Sequence, residues 1–213
     1  TLKQALDKAC KIGIITKNPC NAVEIKKAEK THKNALTEDE QFRLLHSLKG
    51  SPMYPLFCLL LTTGLRIGEA LALEPSDFDY SAKTVTVSKD VVWVDGKKIL
   101  QSTPKSKAGF RTVPVPENVL KMISPDSLNF TYNAVRLFFL RLQRSTGINV
   151  SAHTLRHTYA TRLEEAGVPP KVKQYLLGHA SLDMTQNTYT DTQTAYVEKT
   201  HDRILSAFPS DFD

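Results

Sequence analysis

Apolar positions recur at helical spacing at the start of the chain, where Leu2, Leu6, Ala9 and Cys10 share one face until Gly13 breaks the period. About one helix is therefore expected within residues 1–16. The stretch NPCNAVEIKKAEKTHKNALTEDE then carries Lys26, Lys27, Lys30 and Lys33 and loses its apolar pattern after Ile25, which predicts a basic linker. Helical order resumes at LTEDEQFRLLHSL. Thr37 and Glu40 stand at capping-box spacing there, and Phe42, Leu45 and Leu48 form the stripe expected to face a core. The apolar run over 55–62 predicts a helix that Thr63-Gly64 ends, and RIGEALAL starts another at once. The period then changes to two. KTVTVSKDVVWV, a turn at Asp95-Gly96, and KKILQSTPKSKAGFRTVPVP predict two or three strands around a hairpin and a Lys-rich loop. Beyond Pro125 helices return, over 132–143, over 153–166 before Gly167, over 170–177 before Gly178, and one or two more after Ser181. The fold class expected is α+β, mainly helical, with one small antiparallel β-sheet.

A chain of 213 residues with 41% hydrophobic content can bury one substantial core, or one core plus a fragment of a second domain. Its most apolar run, MYPLFCLLL, falls far short of the roughly 20 residues that span a bilayer, so no membrane association and no secretory leader are expected. Cys10, Cys20 and Cys58 are odd in number and form no CxxC pair, which points to reduced structural thiols and a cytoplasmic setting. The net charge of +6 favours an anionic partner. Its distribution sharpens this. Residues 83–111 hold seven Lys and Arg against Asp90 and Asp95, and residues 131–163 hold five Arg and no acid. A solvated face mixes signs, whereas a phosphate backbone would account for such runs.

Several side chains could carry chemistry. In HTLRHTYATRLEEAG, His153, Arg156 and His157 project toward one side of a helix. A zinc site is disfavoured there, because the glutamate of a zinc-protease motif is missing and Arg156 would place a fixed charge between the ligands; an ordinary surface helix stays open. Arg66, at the start of a mostly apolar helix, is either a buried ion pair with Glu69 or an anion ligand in a cleft. Lys105 belongs to a hairpin tip, with Lys107 as its competitor. His179 follows Gly178 at a helix stop, where a histidine caps carbonyls or catalyses. Tyr189 and Tyr196 lie two helical turns apart and could both simply pack.

Taken in order, TTGLRIGEALAL, HTLRHTYAT and LGHASLDMTQNTY resemble the first arginine motif, the His-x-x-Arg motif and the Gly-His to tyrosine segment of the tyrosine recombinases, or phage integrases. IGIITKNPC with the basic linker resembles that family's interdomain junction. The resemblance covers essentially the whole chain. It implies that residues 1–22 are the end of a core-binding domain, 23–34 the linker, and 35–213 a catalytic domain of the tyrosine recombinase fold with a C-terminal tail. It implies a catalytic set of Arg66, Lys105, His153, Arg156, His179 and Tyr189, with Glu69 in support and Lys107 and Arg111 on DNA. Lys105 is preferred over Lys107 as the catalytic lysine. Tyr189 would attack a DNA phosphodiester to give a 3′-phosphotyrosyl link, two planar guanidiniums would hold the charged oxygens, and neither metal nor nucleotide cofactor would be needed. The partners implied are double-stranded DNA at recombination sites and further copies, as a tetramer on DNA with the tail docking in cis or on a neighbour. Supercoil relaxation by a type IB topoisomerase, or non-catalytic DNA binding on the same scaffold, are the rival functions.

Overall fold

The structure, a computed structural model, describes residues 2–23, 35–94, 97–101, 110–124, 127–178 and 189–208, with side chains in the last stretch from Val197 onward. The chain divides into two compact units, residues 1–33 and 34–213. The first consists of α1 (Leu2–Lys11) and a one-turn 3-10 helix (Pro19–Ala22). Asn18 caps that turn: its Oδ1 accepts from the Cys20 amide at 2.9 Å, and its side-chain amide donates to the Lys3 carbonyl and to Asp7. Leu2, Ile12 and Ile14 are exposed, so this unit shows no apolar core of its own among the described residues.

The second unit opens with α2 (Glu38–Leu48), whose capping box is formed in both directions between Thr37 and Glu40. The buried face is Gln41, Leu44, Leu45 and Leu48, while Phe42 is 69% exposed. Phe42 was expected inward. Gln41 takes that face instead because its amide donates back to the Leu36 and Thr37 carbonyls, which satisfies a polar group that would otherwise cost free energy on burial. Next comes α3 (Tyr54–Thr63), with eight consecutive buried residues from Leu56 to Thr63. A helix apolar all round belongs at the centre of a core, and the later helix Ala152–Glu165 packs along it. Gly64 ends α3 in the left-handed conformation, at φ 62°. The following helix, α4 (Ile67–Ala70), is a single turn, shorter than RIGEALAL suggests.

Among the described residues the small antiparallel β-structure consists of two ladders. β1 (Phe78–Asp79), β2 (Thr84–Val87) and β5 (Arg111–Pro114) form one in the order β1-β2-β5, with Val85 opposite Val113 and Val87 opposite Arg111. β3 (Asp90–Val94) and β4 (Lys97–Gln101) form the other. β2 alternates partly buried Thr with buried Val, as a strand with one core face must. The short α5 (Glu117–Met122) was not anticipated. It is followed by α6 (Tyr132–Thr146), α7 (Ala152–Glu165), α8 (Pro170–Leu177) and α9 (Tyr189–Ser206). Thr131 and Ser151 cap α6 and α7 by accepting from the Ala134 and Thr154 amides. Val197, Ile204 and Phe208 from the tail are buried in the same core as α3 and α7, and the Phe208 ring stacks on Tyr159 with centroids 5.4 Å apart. Among the described residues no helix is long and apolar enough to cross a membrane.

Candidate active site

The site is built where three elements meet the end of α8. Gly64 turns the chain out of α3, and Arg66 follows as the N-cap residue of α4 with extended backbone. Glu69, one turn on, is buried. Its Oε2 accepts from the Arg66 amide at 2.8 Å, and its Oε1 accepts from Arg66 Nη1 at 2.8 Å. From β5, Arg111 enters on the same parity as Val113 and is fully buried. Its Nη1 and Nη2 donate to the two oxygens of Glu69 at 3.1 and 2.8 Å. From α7, Arg156 is 9% exposed and donates through Nη1 to the Gly64 carbonyl at 2.7 Å.

The three guanidiniums share a second set of acceptors. Arg111 Nε donates to the Leu176 carbonyl at 2.7 Å, Arg156 Nη2 to the Leu177 carbonyl, and Arg66 Nη2 to the Gly178 carbonyl at 3.2 Å. These are the last carbonyls of α8 and its cap, which have no partner within the helix and carry the negative end of its dipole. Gly178 is left-handed, at φ 61°, and its own amide closes onto Gln174 and Tyr175. The residue before His179 is thus held by Arg66.

Charge in the cluster is unbalanced. Among the described residues one carboxylate faces the three guanidiniums, so two positive charges there have no ionised partner. Burial, reinforced by repulsion from Arg66, pulls the Arg156 pKa down to about 10, which still leaves it protonated at neutral pH. Burial also pushes the Glu69 carboxyl up, but the hydrogen bonds and charges of Arg111 and Arg66 outweigh it and hold Glu69 below the ordinary carboxylate value. Arg66 is the most open of the three, its side chain 47% exposed. Arg66 thus offers its guanidinium to solvent, whereas Arg156 is buried.

His153 is exposed one turn before Arg156 on α7, and His157 is exposed one residue after it. Lys105, Lys107 and His179 lie outside the described residues. Tyr189 is the first residue of α9, and its side chain and that of Tyr196 lie outside the description. Arg111 does not fit the DNA contact expected of it, because it is sealed from solvent and its guanidinium is taken up by Glu69 and the Leu176 carbonyl. Other parts of the basic runs are likewise engaged within the fold: Lys83 pairs with Glu117 at 2.9 Å, Lys89 with Glu74 and Asp77, and Arg162 with Glu165. Lys97, Lys98, Arg136, Arg141 and Arg144 are exposed. The Glu69–Arg111 pair went unread in the sequence, although an arginine at the inward parity of RTVPV was its signal.

Residues 124–195, which contain His153, Arg156, His179 and Tyr189, match the model of the phage integrase family. The chain is 30% identical over 89% of its length to a "Tyrosine recombinase XerC-like" protein of Caldanaerobacter subterraneus subsp. tengcongensis, of which it spans 60%. It is 29% identical over 74% of its length to the transposase from transposon Tn916 of Enterococcus faecalis, of which it spans 47%. The chain therefore spans about half the length of these relatives. Among solved structures it resembles the Tn1549 transposon integrase in complex with a circular intermediate DNA, with a TM-score of 0.71 and 25% identity over 92% of this chain and 76% of that one. With its mainly helical fold, its buried arginines at the end of α8 and the order of its motifs, the chain resembles the catalytic domain of the tyrosine recombinases and is related to the integrases of conjugative transposons.

Proposed function

We propose that the chain is the catalytic part of a site-specific DNA recombinase that integrates or excises a mobile element, cleaving and rejoining strands through a covalent 3′-phosphotyrosyl intermediate. The observation that carries this is the under-neutralised arginine cluster at the end of α8, one partly open guanidinium backed by a buried second one. A scissile phosphate supplies the missing anion. The pentacovalent transition state gathers charge on its non-bridging oxygens, where Arg66 and Arg156 stabilise it more than they stabilise the ground state.

In the proposed step the Tyr189 hydroxyl gives its proton to His153 and its oxygen attacks phosphorus. The bond to the 5′-oxygen breaks, and that oxygen takes a proton from Lys105. His179 donates a hydrogen bond to the phosphate. Rejoining reverses the step with a 5′-hydroxyl from another strand, and because the phosphodiester energy is kept in the tyrosyl link, no nucleotide cofactor takes part. Glu69 orients Arg66, and Lys107 lies along the DNA. The partners are double-stranded DNA sites and further copies of the chain in a tetramer, with tail exchange between neighbours, in the cytoplasm and away from membranes. The cis packing of Val197, Ile204 and Phe208 supports the resting half of that exchange.

The test uses nicked duplexes with randomised sequence around the nick. Denaturant-resistant protein–DNA adducts are isolated, the enriched DNA is sequenced, and the modified peptide is mapped by mass. The adduct is expected at Tyr189, is lost in Tyr189→Phe and persists in Tyr196→Phe. An adduct at Tyr196 or Tyr175 would overturn the choice of nucleophile. Relaxation of supercoiled plasmid without strand exchange would point instead to topoisomerase chemistry, and DNA binding without any adduct to a binding module.

A further inference from the structure

Arg111 of β5 is sealed from solvent, yet it contacts both sides of the site. Each of its three nitrogens has an acceptor: Nη1 and Nη2 on Glu69, and Nε on the Leu176 carbonyl. Glu69 in turn divides its four accepted hydrogen bonds evenly, two from Arg111 and two from the backbone amide and Nη1 of Arg66. The direction of the Arg66 guanidinium therefore depends on a carboxylate whose plane Arg111 sets. On its other edge Arg111 takes the first of three consecutive carbonyls, at Leu176, Leu177 and Gly178, the others going to Arg156 and Arg66. His179 follows directly.

We propose that Arg111 is a positioning residue for strand cleavage: it locks the carboxylate that aims Arg66 to the last turn of α8, and so fixes the arginine cluster and the start of the His179 segment as one unit. The proposal rests on the recombinase reading above. A planar fork with a third donor at right reach is needed, which lysine lacks. A purely structural ion pair would contribute to stability without coupling to Arg66, and a buried pair is in any case weak evidence of stability.

Arg111→Lys keeps the charge beside Glu69 and gives up the simultaneous grip on Glu69 and Leu176. Glu69→Gln keeps the shape and removes the charge that organises both arginines. Single-turnover cleavage of the duplexes enriched by the wild-type chain, at saturating protein, is expected to fall by about a hundredfold in either variant, the size of effect that a misplacement of about 1 Å produces. DNA affinity is expected to stay at the wild-type value. In combination with Arg66→Lys, the Arg111→Lys loss should be far less than multiplicative, since both act on one guanidinium.

Each variant is assayed below its own melting midpoint, determined by circular dichroism. A wild-type cleavage rate in both variants, losses that multiply with Arg66→Lys, or a fall in affinity that accounts for the fall in rate would each overturn the proposal. So would an Arg111→Lys chain with no folded state at any temperature, which would make Arg111 a residue of folding alone. Those results leave the recombinase reading intact. Failure of the wild-type chain to form any adduct strikes that reading instead and removes the basis of this one.

Discussion

Gly64→Ala separates two costs that a glycine usually hides together. Gly64 has φ 62°, and a Cβ built on it would lie 2.3 Å from Tyr159 Cδ1 and 2.9 Å from Cγ. Gly147 has φ 72° and nothing within 4 Å of the same point. Both alanines bear the left-handed backbone cost, about 1–2 kcal/mol. Only Gly64→Ala must also displace a ring, and that ring is fully buried and stacked on Phe208. Forcing a methyl into a packed core adds about 1–3 kcal/mol, for a total of roughly 2–5 kcal/mol against about 1–2 kcal/mol at Gly147. In a chain of this size each kcal/mol lowers the melting temperature by about 2–4 °C, so the two variants should differ by roughly 2–12 °C. Thermal melts followed by circular dichroism measure the gap, and urea unfolding checks it in free-energy terms. The Gly64 carbonyl also receives Arg156, so cleavage should suffer in Gly64→Ala beyond the loss of folded protein. Equal melting shifts in the two variants would refute the reasoning, because they would mean that Tyr159 moves aside without cost.

The arginines should separate by role. Arg66→Lys and Arg156→Lys are expected to slow adduct formation by about a hundredfold to a thousandfold with little change in DNA affinity, whereas Arg141→Lys and Arg144→Lys on the exposed side of α6 should leave the rate unchanged; equal effects in all four would reduce the cluster to general phosphate binding. Glu69 has a lowered folded pKa, so its contribution to stability is complete above its ordinary value of 4.5 and is lost as pH falls through the lower folded value. The difference in urea midpoint between the wild-type chain and Glu69→Gln should therefore shrink on acidification from neutral pH; a constant difference would show that the ionised carboxylate is not what matters. The Tyr159 hydroxyl is buried without a hydrogen-bond partner among the described residues, so Tyr159→Phe should raise stability by about 1 kcal/mol, and a loss of stability would reveal a partner for that oxygen.

What the sequence made legible was local. The Thr37–Glu40 box, the Gly64 and Gly178 stops and the alternation in TVTV are signals carried within a few residues, and they place α2, the end of α3, the end of α8 and β2 without reference to the rest of the chain. The motif order singled out Arg66 and Arg156, which the fold brings together at the end of α8. Arg66 and Glu69 are one helical turn apart, so their pairing could be read directly as one of two alternatives. The fate of Arg111 could not, because its partner Glu69 is 42 residues away and its second acceptor, a backbone carbonyl at Leu176, is 65 residues away. Phe42 and Gln41 illustrate a different limit. Both fit an inward stripe on α2, and the choice was made by carbonyls at Leu36 and Thr37 that no hydropathy pattern contains. Likewise Lys83 and Lys89 count as free charge in a composition and prove to be ion-paired once the chain has folded.

The length of α9 has a mechanical consequence. Its backbone is helical without interruption from Tyr189 to Ser206, and Ile204, near its far end, is 1% exposed in the core. Fifteen residues at 1.5 Å each put these two positions about 22 Å apart along one rod. A rod clamped at Val197 and Ile204 behaves as a lever: twisting the clamped end rotates the Tyr189 end with it, and sliding it by one turn shifts that end by about 5.4 Å. The place where the tail is gripped therefore sets the reach and bearing of its first residue. Any partner that competed for Ile204 and Phe208 would act at a distance on Tyr189 without touching it.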